Sequence, residues 1–132
     1  MKKIIFSFIL VLGISGLKAQ TPDGPKSGPI IIFTETAHDF GDIIQGDSVM
    51  HNFKFKNSGT SPLIISEVIT TCGCTAPKFT KEPVMPGKAG EILITYRSAG
   101  KQGLQNKIIT ILSNSTNSPV RLSIRVNVLP QK

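Results

Sequence analysis

The chain has 132 residues, of which 39% are hydrophobic and 17% charged, with a net charge of +7. Its fifteen Lys and Arg are spread along the chain, with no Trp and a single Tyr among them. A phosphate-binding surface needs a concentrated basic patch, so that distribution argues against a dedicated nucleic-acid partner.

The chain opens with Met1, Lys2 and Lys3, then an apolar run from Ile4 to Leu12 that continues loosely to Leu17. A short positive segment, an apolar stretch and a small exit residue make a secretory signal, with cleavage expected after Ala19. A retained anchor would need ~20 apolar residues, and Gly13 and Gly16 interrupt this run. No Cys stands near the cut, so no lipid attachment is expected. Loss of Lys2, Lys3 and Lys18 lowers the charge from +7 to +4. The exported product is expected in the periplasm or outside the cell, with no stable membrane insertion.

Residues 20–29 (QTPDGPKSGP) are dense in Pro, Gly, Ser and charge and read as a flexible linker. From 30 to 130 the texture is strand and turn. Ile30 to Phe33 is β-branched and suits a first strand. His38 to Ile44 is a second extended piece, with His38 and Asp39 expected to close a turn. Val49, His51, Phe53 and Phe55 alternate with Met50, Asn52, Lys54 and Lys56, the period of a half-buried strand. Leu63 to Thr71 is apolar on both parities except Ser66 and Glu67, which predicts a central strand. Ile92, Ile94 and Tyr96 alternate in turn, Lys107 to Leu112 is another strand, and Val120, Leu122, Ile124, Val126 and Val128 share one face of the last. No window after residue 19 carries a helical period over three turns. About seven strands at ~8–12-residue spacing predict an all-β, two-sheet sandwich. Its core is expected from Phe53, Phe55, Ile65, Ile92, Ile94, Ile109, Ile111 and the last strand.

One segment is chemically loaded: Thr70-Thr71-Cys72-Gly73-Cys74-Thr75-Ala76-Pro77, which holds both cysteines of the chain. In extended backbone, positions i and i+2 point the same way, so both sulfurs face one side. Three readings compete. The pair is a structural disulfide or two half-buried thiols; it is a soft-metal site for copper or zinc; or it is an exchanging redox pair. A relaxed disulfide wants Cα atoms ~5.5–6 Å apart, against ~6.6–7 Å for an extended pair, so closure needs a bend at Gly73. A closed zinc site wants four ligands, and no spacing puts His38, His51, Met50 or Met85 beside Cys72 and Cys74. His51 lies on the apolar parity of its strand and reads as a hydrogen-bonded core or rim histidine rather than a ligand. No nucleophile elbow or Ser-His-Asp set is present, so no catalytic residue is assigned. Asn114-Ser115-Thr116 matches a glycosylation acceptor but reads as a surface turn.

His38-Asp39-Phe40-Gly41, Ile43, Gly46, Phe53, Phe55, Asn57 and Gly59, then Cys72-Gly73-Cys74-Thr75, Pro77, Pro86-Gly87, Ile92 and Tyr96 resemble the bacterial domain of unknown function 1573. The resemblance continues through Gly103, Lys107, Ile109 and Ser113-Asn114. It implies an immunoglobulin-like sandwich, akin in shape to major-sperm-protein and Hydin-type modules, which act as binding or scaffolding domains. The expectation is therefore a non-enzymatic binding module of the cell envelope, with no cofactor and with a protein or envelope polymer as partner. The alternative is copper or zinc binding, or thiol–disulfide handling, through Cys72 and Cys74, with Gly73, Thr75, His38 and Asp39 as accompanying motif residues.

Overall fold

The computed structural model describes residues 27–132, together with the isolated Gly13 and Gly16. The expected signal peptide and most of the linker lie outside the described residues. Eight strands follow in chain order: β1 (Ile31–Phe33), β2 (Ala37–Ile44), β3 (Ser48–Asn57), β4 (Ile65–Thr70), β5 (Thr75–Phe79), β6 (Ala89–Arg97), β7 (Gly103–Ser113) and β8 (Val120–Leu129). They form two four-stranded sheets, ordered β1-β3-β6-β5 and β2-β8-β7-β4. All pairs are antiparallel except β2 with β8. Among the described residues no helix is long and apolar enough to cross a membrane.

Alternation explains the layers. In β8, Leu122, Ile124, Val126 and Val128 are buried while Arg121 and Arg125 are exposed. Phe53 and Phe55 of β3, Ile92, Ile94 and Tyr96 of β6, and Ile109 and Ile111 of β7 complete the interior, each at most 2% exposed. Every residue expected in the core is buried there except Val120, which is partly buried against it, and Ile31, Ile43, Leu63, Val84 and Tyr96 join them. Each such side chain contributes about 1.5–3 kcal/mol of transfer free energy. The Tyr96 hydroxyl is buried without a hydrogen-bond partner, and burial pushes its pKa up.

The structure departs from the expected strand plan in four places. The count is eight, because no strand is expected at β5, where Pro77 and the neighbouring cysteines mask it. The segment expected as a central strand is the edge strand β4, and Leu63 precedes it, bridging instead to Val84. Apolar residues on both parities reflect Ile64 and Ile69 standing exposed, not burial on two faces. His38 and Asp39 lie within β2 rather than closing a turn between strands. Gly28 and Pro29 belong to the sandwich rather than to a linker: the Gly28 N–H donates to the Thr60 hydroxyl at 2.9 Å, and the Pro29 carbonyl accepts from Thr116 at 2.9 Å.

Asn57 and Gly59 are structural residues of the β3 exit. The buried Asn57 amide donates to the carbonyls of Ser61 (2.7 Å) and Val84 (2.8 Å) and accepts from the Gly59 N–H at 2.9 Å. A Cβ on Gly59 would lie 2.1 Å from the Gly28 carbonyl oxygen.

Candidate functional site

Because the two sheets stack with matching strand order, the sandwich has two margins. One pairs β4 with β5 and the other pairs β1 with β2. At each margin the chain crosses between sheets, through residues 71–74 at the first and 34–36 at the second. Each crossover carries a cluster of reactive side chains.

The first crossover holds the cysteines, which stand between the sheets rather than at the end of a central strand. Cys72 and Cys74 are joined by a disulfide, with Cα atoms 5.3 Å apart. Side chains and backbone around it set the bend. The Thr70 hydroxyl donates to the carbonyls of Cys72 (3.2 Å) and Thr75 (3.4 Å). The Arg97 N–H, from β6, donates to the Cys74 carbonyl at 2.8 Å. Thr75 is buried, and its hydroxyl oxygen lies 3.9 Å from each sulfur. Cys74 packs against the core while Gly73 is exposed. Gly73 does not adopt a positive φ, and a Cβ there would meet nothing within 4 Å. The loop therefore bends without using the conformational freedom that only glycine has. With both sulfurs in the bond, neither is a thiolate, the form that ligates soft metals.

The second margin is built by the His-Asp-Phe-Gly stretch of β2. The Asp39 carboxylate accepts the Gly41 N–H at 2.8 Å, and Gly41 takes a left-handed φ of 71°. The register against β8 shifts between Asp39 and Asp42, so the strand is bulged there. Ahead of and within the bulge, His38 and Phe40 are half-buried and meet β3 of the other sheet. The His38 ring stacks on His51, with centroids 3.6 Å apart and planes within 9°. Phe40 and Phe53 meet His51 edge-on at 6.4 and 4.8 Å. Glu35, in the crossover, is hydrogen-bonded through Oε1 to Nε2 of His51. An ionised carboxylate only accepts, so the His51 Nε2–H donates. Burial, and next the neighbouring His51, lower the pKa of His38, while Glu35 and Asp39 partly oppose the shift.

Of the residues singled out in the sequence, the structure brings Cys72, Cys74 and Thr75 together, and separately His38 with His51. It does not bring the histidines to the cysteines: β6 stands between the strand of His51 and the strand that Cys74 leads into. Met50 and Met85 are 65% and 53% exposed and join neither cluster. Asn114 is engaged at both ends of its amide, accepting from Ile64 N–H at 2.8 Å and donating to the Pro62 carbonyl at 3.1 Å. Glu35 escaped the sequence reading; the available signal was an acidic residue in a three-residue connection just ahead of the strand that bears His38.

Two four-stranded sheets with Ig-like crossovers define this as an immunoglobulin-like, PapD-like sandwich domain. The chain belongs to the family described as protein of unknown function (DUF1573), whose model matches residues 31–128. No curated protein matches its sequence. Among solved structures, it is similar to a protein of unknown function from Porphyromonas gingivalis W83, at 18% identity and a TM-score of 0.67, over 76% of this chain and 47% of that one. It is also similar to the ASH/PapD-like domain 7 of human CEP192, at 9% identity and a TM-score of 0.67, over 92% of this chain and 99% of that domain. A third similarity is to the secreted serine protease VesC from Vibrio cholerae, at 15% identity and a TM-score of 0.58, over 76% of this chain. The chain spans about half the length of the Porphyromonas protein and 23% of VesC. At these identities the likeness is one of fold.

Proposed function

We propose that this protein is an exported, non-enzymatic binding module of the cell envelope whose protein partner docks as an added strand on the β4 edge. The observation that carries this reading is the character of β4. Three of the four sheet edges are protected in ways that discourage strand addition. Strand β1 has three residues, β5 contains Pro77 with no N–H to offer, and β2 is bulged at Gly41. Strand β4 has no proline, and its own register shift lies at its start, between Ile65 and Glu67, so that it pairs regularly with β7 from Glu67 to Thr70. Ile64 and Ile69, beside and within it, are 42% and 43% exposed. Ile69 sits opposite Thr110, diagonal to Ile108, which is itself 39% exposed. An incoming strand would take backbone hydrogen bonds from the edge and specificity from these apolar side chains. The PapD-like fold supports a binding role by analogy of architecture.

A photo-crosslinking residue at position 69 in producing cells tests this. A discrete adduct is expected there, absent from the same residue placed at Lys56 and lost when Ile64→Lys is added to a folded chain. Adducts that are equal at both positions, or none, overturn docking at β4.

A second reading rests on the Cys72–Cys74 bond, half-exposed at an open margin, exchanging with thiols of other proteins. It predicts a mixed disulfide trapped by Cys74→Ala, whereas strand addition survives the loss of both cysteines.

A further inference from the structure

We propose that Glu35, His38 and His51 form a binding site for a divalent transition-metal ion at the β1–β2 margin. The proposal is independent of strand docking at β4 and of the cysteines. The three residues come from three segments, a crossover and one strand from each sheet, and their donor atoms all lie within 4.8 Å of one another. Two ligands of one tetrahedral ion sit ~3.3 Å apart, given metal–nitrogen distances of ~2.0–2.1 Å. Closing that gap requires the side chains to turn, at a rim where Glu35 is exposed and His51 half-buried.

The donor set selects the class of ion. Two imidazoles and one carboxylate suit zinc, copper, nickel or iron in the divalent state, and disfavour calcium and magnesium, which prefer all-oxygen shells. The His51–Glu35 hydrogen bond already holds a nitrogen and an oxygen against each other across one proton. A metal ion takes the place of that proton, and the His51 ring stays neutral by carrying its hydrogen on Nδ1. The stacked rings present their edges side by side, so coordination tilts one ring against the other. Phe40 and Phe53 form an apolar wall behind them that keeps water from the inner side. Three protein donors leave the remaining positions to water, the arrangement of an open site rather than a closed structural one.

The test uses the full, untagged chain with its disulfide closed, titrated calorimetrically with zinc chloride in a non-coordinating buffer at neutral pH. One ion per chain is expected. Loss of a ligand should cost no less than loss of its supporting contacts, so His38→Asn and His51→Asn should each weaken binding at least about tenfold. Glu35→Gln, which keeps an amide oxygen to accept from His51, should weaken it by a similar factor. Cys72→Ala with Cys74→Ala should leave it unchanged. These are the only two histidines of the chain, so their imidazole resonances report the site without ambiguity, and both should shift with one equivalent of zinc. Absence of binding, affinity unaltered by Glu35→Gln, or binding lost with the cysteines overturns the proposal.

Discussion

Two of the crossovers between the sheets, residues 71–74 and 34–36, are alike in length and opposite in construction. Residues 71–74 carry a covalent bond, and residues 34–36 carry Glu35, whose partner His51 lies 16 positions away in the chain. The covalent link joins positions two apart, so it shapes one loop and ties no sheet to the other. The hydrogen bond and the stacked rings connect β2, β3 and the crossover, and so act directly between sheets. What restrains a margin is therefore the chain distance that a contact closes, more than the strength of the bond, because only distant closure removes many unfolded conformations.

This contrast can be broken by substitution. His51→Ala removes a stacked ring, two edge-on aromatic contacts and the bond to Glu35, and should destabilise the fold by about 2–3 kcal/mol. Cys72→Ala with Cys74→Ala opens so small a ring that chain entropy allows a loss of at most about 1.5 kcal/mol. Urea unfolding of both variants under oxidising conditions ranks them. A larger cost for the cysteine pair would mean that the disulfide orders β4 and β5 well beyond its own loop.

Acidity should act on one margin only. Burial and His51 hold the His38 pKa below its ordinary value of 6.5, with Glu35 and Asp39 partly opposing. The unfolded chain then binds more protons than the folded one between the two values, so stability rises with pH across that window. It is fully present above about 6.5 and is lost as pH falls through the lower folded value. Thermal melts of the native chain against His38→Asn should diverge below pH 6.5 and run parallel above it. The effect is smaller than either deletion, because His38 is only half-buried and its neighbours compensate.

How much of this was legible in the sequence follows from what periodicity encodes. Alternation reports which face of a strand is buried, and it placed Phe53, Ile94, Ile109 and Ile124 in the core. It is silent on which strand lies at an edge, so Leu63 to Thr71 reads as central when the strand it contains, β4, has solvent on one side. The strand at Thr75–Phe79 was masked by Pro77, tolerated there because β5 is itself an edge. The cysteine cluster was legible because its members are adjacent in the chain. The other cluster was not: the parity of His51 pointed inward, but what it met depended on how two sheets stack. Packing sets that stacking, and no local pattern records it.

Gly73 separates the two kinds of legibility at the smallest scale. The spacing of the cysteines demands a bend, and glycine is the residue that sequence reasoning credits with making it. In the fold the bend is held by Thr70, Thr75 and Arg97, while Gly73 itself is exposed, without positive φ and with open space where a Cβ would go. Gly73→Ala should therefore leave stability within about 0.5 kcal/mol of the native chain, or raise it slightly by narrowing the unfolded ensemble. The disulfide should form as before, checked by mass before and after alkylation. If the alanine variant instead keeps free thiols, glycine matters while the bond is being closed rather than once it is closed. The sequence signal would then belong to bond formation and exchange, which favours the thiol reading of this margin over a purely structural one.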